Sequence, residues 1–452
     1  MSITAELCAR IVGTTWDSLT PAAIAAAKRL VIDGLAITLA GTEEEAIRIL
    51  ADHYQGFGAR GDASAIGFGF RTAPTFAAAL NGAAMHVLDF EPMWTPSNHA
   101  LSTNLPAILA LAEIHDIPGR DLITALVKGI EMQTWIRHAG RVYEHGGVKF
   151  HPPGLTGPMG AAVAAGHVLG LTADQHAHAL GMASSRCGTV HANIGSMTKS
   201  THCGLASMHG LESAMLAARG FTANPEPFES HNGYARQMFG EAFEPRDLLN
   251  FGPPFRIVEP GYAMKMFPSQ YGTHFAITAG LTLHPQIPDP AAIRAVRLIT
   301  PVMQYVNRPR PATGLEGKFS LQYTFASGLL RGGVGIGTFT DDQVARPDMV
   351  ALLDRITMDM SPDIPARFDR MWLEAHVTMD DGRVLHARCD GPPGIWGSPP
   401  IPEAAHLVKV RDCLSRRLST DRAEALIDLA SRVETLDAVG VRSMIDLVRD
   451  PA

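Results

Sequence analysis

Apolar residues recur at helical spacing from Ser2 to about Arg219. Thr20 reads as an N-cap with Pro21 at the first helical position, and Gly41 fits the C-terminus of that helix. Its apolar positions, Ile24, Ala27, Leu30, Val31, Leu35 and Ile37, run nearly all round the helix, which predicts burial between neighbours. The same pattern predicts helices over 74–88, 101–115, 119–137 and 157–169, one starting after Thr172 as N-cap, and one over 204–219 that stops at Gly220. Short connections between such helices imply a compact α-bundle.

The periodicity changes after about Gly261. Residues 291–301 read as a helix start running into a strand, 317–331 and 341–355 as helical, and 356–360 as a strand. The clearest β signal is WLEAHVTM and RVLHARC on either side of Asp381-Gly382, which predicts a hairpin. A Pro/Gly-rich segment over 391–402 leads into further helix from Glu403. The expected fold is therefore mainly α: a large all-helical domain (1–264), an inserted smaller α+β domain (265–400), and C-terminal helices (401–452) returning to the first domain.

Composition narrows the class. Hydrophobic residues make up 46% of the 452 and charged residues 18%, as in a globular chain with much internal surface. The formal charge of −7 and the lack of a basic run argue against nucleic-acid binding. No run nears 18 apolar residues, and the N-terminus lacks a signal-peptide pattern, so neither a membrane span nor export is expected. Five cysteines (Cys8, Cys187, Cys203, Cys389, Cys413) without a C-x-x-C suit reduced thiols in the cytoplasm. Lysines number only seven, so one lying in an apolar or glycine-rich setting stands out.

Several stretches gather candidate chemistry. In 81–106, Asp89 and His99 bracket an aromatic-rich loop between two apolar helices. Either they share the mouth of the bundle, or Asp89 merely ends a helix and His99 lies in the loop. Residues 146–160 (GGVKFHPPGLTGPMG) hold His151 and Thr156 before a helix start, either an anion cradle or a plain loop. Residues 195–210 place Lys199 and His202 in a small-residue loop opening a helix. Residues 261–274 put Lys265 between methionines, followed by Tyr271 and His274, and residues 317–323 carry Lys318, Ser320 and Tyr323. No Walker A, dinucleotide fingerprint, G-x-S-x-G or H-E-x-x-H occurs, and the histidines lack metal-ligand spacing, so no cofactor or metal is expected. Isolated lysines, loop histidines, an acid and a tyrosine suit an anion with two or three carboxylates and the movement of one proton.

Taken in order, NG-x3-H-x-LDF (81–90), FHP and GP-x-GAA (150–162), MTK-x2-H-x-G (197–204), RGFTA (219–223), KMFPSQYGTH (265–274) and KFS-x2-Y (318–323) resemble the MmgE/PrpD family over nearly the whole chain. The resemblance implies a helical domain with an inserted lid, a homodimer, no obligatory cofactor, and an active site in the cleft between domain and lid. It carries catalytic roles onto Asp89, His99, His151, Lys199, Lys265, His274 and Tyr323, and substrate contacts onto Met93, Thr156, His202 and Lys318. Where the family often reads LDFDDT this chain reads LDFEPM, with Met93 in place of a hydroxyl. Ser269-Gln270 stands where a double cysteine often follows.

The expected activity is that of a lyase on a small di- or tricarboxylate, of the 2-methylcitrate or aconitate kind, by proton abstraction next to a carboxylate and loss of water or CO2. Lys199, Lys265 and Lys318 would hold carboxylates. One of His99 and His151 would act as base, the other or Tyr323 as acid, and Asp89 would orient the histidine. The alternatives are an epimerase of an iminodisuccinate-like dicarboxylate and a non-catalytic carboxylate binder.

Overall fold

The computed structural model describes residues 2–143 and 149–450. Ten helices come first: α1 (Ile3–Gly13), α2 (Pro21–Gly41), α3 (Glu45–Gly56), α4 (Pro74–Val87), α5 (Leu101–Ala112), α6 (Gly119–Ala139), α7 (Pro152–Val168), α8 (Ala173–Ser184), α9 (Thr198–Ala218) and α10 (Tyr234–Phe239). Thr20 accepts from the Ala23 N–H with Pro21 at the first position, and Thr172 makes a capping box with Gln175. In α2 every residue from Leu30 to Gly41 is buried, as its all-round apolar pattern requires.

Two helix starts in this first group differ from expectation. Helix α7 begins at Pro152 rather than 157, because prolines at its first two positions forgo N–H groups that would lack helical partners anyway. Helix α9 begins at Thr198 rather than 204, so Lys199 and His202 stand on a helix and not in a loop. Of the 146–160 stretch, positions 146–148 lie outside the described residues. Close approach of α4 to α9 depends on two glycines. A Cβ on Gly204 would meet the Ala79 carbonyl oxygen at 2.0 Å, and one on Gly82 the Gly204 Cα at 2.9 Å.

Two short strands, β1 (Ala63–Ser64) and β2 (Arg71–Thr72), pair beside α4, and β3 (Met93–Trp94) pairs with β4 (Tyr262–Ala263). After them come α11 (Thr273–Leu283), β5 (Ile293–Pro301), α12 (Gly314–Gly317), α13 (Leu321–Arg331), α14 (Asp341–Val344), α15 (Pro347–Leu353), β6 (Ile356–Ser361), β7 (Leu373–Met379) and β8 (Val384–Cys389). The sheet order is β6-β5-β7-β8, with β5 and β6 parallel and the other pairs antiparallel. The expected hairpin is β7–β8, and Leu373, Ala375, Val377 and Met379 alternate inward.

The last helices, α16 (Glu403–Ser415), α17 (Thr420–Ser431) and α18 (Ala438–Arg449), rejoin the first hydrophobic core through Val410, Leu414, Leu426 and Ile445. A second core collects residues from Tyr271 to Cys389 together with Met93 and Ala263. The return of α16 is tied polar group to polar group. Lys409 Nζ donates to Asp33 Oδ2 (3.1 Å) and to the Phe90 carbonyl (2.9 Å), while His406 Nε2 lies 2.8 Å from Asp33 Oδ1. Among the described residues no helix is long and apolar enough to cross a membrane.

Candidate active site

Helix α4 ends at Val87, and the chain turns through Asp89 in the left-handed region (φ 51°), an uncommon conformation that Asp tolerates better than most residues. The turn directs both the carbonyl and the carboxylate of Asp89 at Lys265. Lys265 Nζ donates to the Asp89 carbonyl (3.0 Å), to Asp89 Oδ1 and to the Ser269 carbonyl (3.1 Å). An ammonium has three N–H donors, so all three are taken by protein.

Lys199, in the first turn of α9, is placed differently. Its Nζ donates to Asp89 Oδ2 (2.7 Å) and to His86 Nε2 (2.8 Å), and it lies 5.5 Å from the centre of the Phe319 ring. One donor remains beyond these two hydrogen bonds. Burial by itself would raise the Asp89 carboxyl, but the Lys199 and Lys265 ammonium groups outweigh it and hold the acid well below its usual range. Burial also lowers Lys265, against the pull of Asp89.

Around this charged centre stand four imidazoles. The rings of His86 and His99 are 4.6 Å apart, edge to face, and His151 lies 5.6 Å from His86. His151 Nδ1 is 3.1 Å from His202 Nδ1. Burial holds His86, His99 and His151 well below the usual histidine range, and His202 at about 4, with nearby lysines acting the same way. These rings are thus neutral at pH 7, fit to accept a proton once a bound anion offsets the lysines.

The cavity is lined by Asp89, Met93, His99, His151, Lys199 and Lys265, six of the residues singled out from the sequence. It has about 50 Å³ of water-accessible space, room for a few waters. Thr156, His202, His274 and Lys318 stand outside its lining. Thr156 Oγ1 supports Asn98 Oδ1 at 3.4 Å, and His202 backs His151. His274 packs edge-on against Phe267 (5.2 Å), and burial lowers it to about 3. The Lys318 ammonium is buried without a hydrogen-bond partner, 3.8 Å from Glu44 Oε2.

Tyr323 does not reach the cavity. Its hydroxyl donates to the Thr338 carbonyl, and burial raises it to about 12, so the expected role as acid has no geometric basis. A different phenol, Tyr305, lines the cavity and accepts from Gln270 Nε2 (2.9 Å). Sequence reasoning missed Tyr305, His191, Ile194, Phe319 and Phe368. Tyr305 sits in QYVNRPRP, where no helix start or glycine flags it. Phe319 is the neighbour of Lys318, and the helical start that drew attention to the lysine also carries the aromatic ring.

His86, His99 and His151 offer ring nitrogens within 4.8 Å of one another, a grouping that chain spacing hides. It suits a metal poorly. Both nitrogens of His86 already serve Glu91 and Lys199, and two ammonium groups nearby repel a cation.

A large helical core, a second α+β core and a buried lysine–aspartate–histidine centre define the class. The chain belongs to the MmgE/PrpD family: the family's N-terminal domain matches residues 5–246 and its C-terminal domain residues 267–435. Among its curated relatives is cis-aconitate decarboxylase of Mus musculus, 31% identical over 453 residues, 97% of this chain and 92% of that protein. The Homo sapiens cis-aconitate decarboxylase is 31% identical, covering 100% and 95%. The Aspergillus terreus cis-aconitate decarboxylase is 25% identical, covering 99% and 96%.

Proposed function

We propose that this chain is a lyase that removes CO2 from a small unsaturated tricarboxylate of the cis-aconitate kind. The observation that carries the reading is the donor count at Lys199. It is a buried ammonium fixed by Asp89 and His86, with one N–H left for a substrate carboxylate. The full-length likeness to cis-aconitate decarboxylases supports the choice of substrate.

The carboxylate on the CH2 arm lies β,γ to the double bond. Breaking its C–C bond releases CO2 and leaves the electron pair delocalised over three carbons and the far carboxylate. One proton delivered to the carbon next to that carboxylate completes an unsaturated C5 dicarboxylate. The trianion and one proton thus yield a dianion and CO2. Lys199 stabilises the developing charge, with Lys265 holding Asp89 behind it. Arrival of the trianion raises His99 and His151, and one of them, protonated from solvent, supplies the proton. For a hydroxylated substrate such as 2-methylcitrate, the same imidazole removes a proton instead and water leaves.

In this reading the second core serves as a lid. Tyr271, Tyr305, Phe319 and Phe368 line the cavity from the lid side, and their movement widens it for a tricarboxylate. The chain works as a homodimer, which sedimentation would read.

The test is proton NMR in D2O with cis-aconitate, 2-methylcitrate and iminodisuccinate. CO2 loss from cis-aconitate with one deuterium in the product supports the decarboxylase. Alkene formation from 2-methylcitrate supports a dehydratase, and exchange into iminodisuccinate without net product an epimerase. Absence of turnover with all three, alongside calorimetric binding of any, indicates a carboxylate binder and defeats the lyase reading.

A further inference from the structure

Glu91 is fully buried, absent from the cavity lining, and heavily hydrogen-bonded. It accepts from the Ser102 backbone N–H (2.9 Å, to Oε2) and the Ser102 hydroxyl (2.7 Å, to Oε1). His86 Nδ1 lies 2.5 Å from Oε1 as well. Ser102 lies in the first turn of α5, so the carboxylate also sits at the N-terminal end of a helix, where negative charge is favoured. Burial pushes Glu91 above its ordinary range, and the neighbouring His99 and the Ser102 hydrogen bonds oppose this only in part.

Glu91 already accepts from Ser102, and the Lys199 ammonium on the far side of His86 can only donate, so the ring nitrogen facing Lys199 accepts and the one facing Glu91 donates. His86 must then carry its proton on Nδ1, which leaves the Nε2 lone pair free. That lone pair meets Lys199 Nζ at 2.8 Å. With Asp89 taking a second N–H, the direction of the third is set.

We propose that Glu91 and His86 form a positioning dyad: Glu91 fixes the tautomer of His86, and His86 aims the Lys199 ammonium at the substrate carboxylate. Neither residue touches substrate; both act through Lys199. His99 Nδ1 stands 3.4 Å from the same Glu91 oxygen, too far for a comparable hold on its tautomer. The inference rests on Lys199 as a carboxylate-binding residue, the reading given above.

The test has two arms. In histidine-labelled 15N NMR of the unmodified chain, with His86→Gln used for assignment, the His86 proton is expected on Nδ1. A proton on Nε2 overturns the dyad whatever any ligand does. The second arm measures calorimetric binding of tricarballylate, a saturated tricarboxylate, to the unmodified chain, Glu91→Gln, Lys199→Ala and the double variant. The glutamine either accepts weakly or turns the ring proton towards Lys199. Glu91→Gln is expected to weaken binding about tenfold with Lys199 present and less than about twofold without it. An equal loss in both backgrounds, or no loss in the first, overturns action through Lys199. Circular dichroism establishes that each variant is folded. If tricarballylate fails to bind the unmodified chain, the carboxylate-binding reading fails, while the tautomer arm still decides the Glu91–His86 link.

Discussion

Gly82 and Gly204 face each other where α4 crosses α9, so closely that a Cβ on Gly82 would stand 2.9 Å from the Gly204 Cα. This contact brings the end of α4, with His86 and Asp89, against the start of α9, with Lys199. The ion pair at the centre of the site is therefore a consequence of two missing methyl groups. Gly204→Ala, whose methyl would meet the Ala79 carbonyl at 2.0 Å, is expected to cost about 1–3 kcal/mol or more. Urea denaturation measures it, and an unchanged midpoint would show that the helices yield freely.

The two lysines that hold Asp89 should fail differently. Lys199→Ala removes the ammonium with a donor to spare, so turnover should vanish, with a stability loss smaller than at Lys265 because two protein hydrogen bonds are lost rather than three. Lys265→Ala removes a cation with all three donors spent inside the protein and leaves Asp89 buried with one partner fewer. It should lower stability by about 3 kcal/mol. Parallel unfolding curves and activity assays separate the two outcomes; equal stability loss in both would contradict the donor count.

His99→Ala and His151→Ala should each reduce turnover, the proton donor by about 10²–10⁴-fold. Tyr323→Phe should leave it unchanged within about twofold, since its hydroxyl bonds the Thr338 carbonyl away from the cavity. Tyr305→Phe, at the cavity wall, should lower it by more. A larger loss for Tyr323 than for Tyr305 would restore the phenol expected from the sequence.

Acid should unfold this chain early. His86, His99, His151, His202 and His274 all titrate lower when folded than their ordinary 6.5, His202 at about 4 and His274 at about 3. As pH falls the unfolded chain binds these protons first. Stability is thus full above about 6.5 and drains as pH falls below it. For fully buried His274 alone the loss at pH 5 relative to neutral pH is about 2 kcal/mol. Denaturant curves at pH 7.5 and 5.0 should show a pH difference smaller by roughly that amount in His274→Asn; an identical difference would exclude His274 as a contributor.

Much of the architecture was legible in the sequence because it is local. Thr20-Pro21, Thr172 and Asp381-Gly382 act through their own backbone and their near neighbours, so capping and turn chemistry could be read from a few residues. The candidate residues Asp89, His99, His151, Lys199 and Lys265 stood out because charged and imidazole groups in apolar, glycine-rich stretches are unusual. What the sequence could not carry is distance through space. The donor counts that distinguish Lys199 from Lys265, the exchange of Tyr323 for Tyr305 at the cavity and the tie from Lys409 to Phe90 all depend on contacts between separate parts of the chain. Packing decides those pairings. A buried donor must find whichever acceptor the crossing helices bring within reach, and in this chain the crossing of α4 and α9 is set by Gly82 and Gly204.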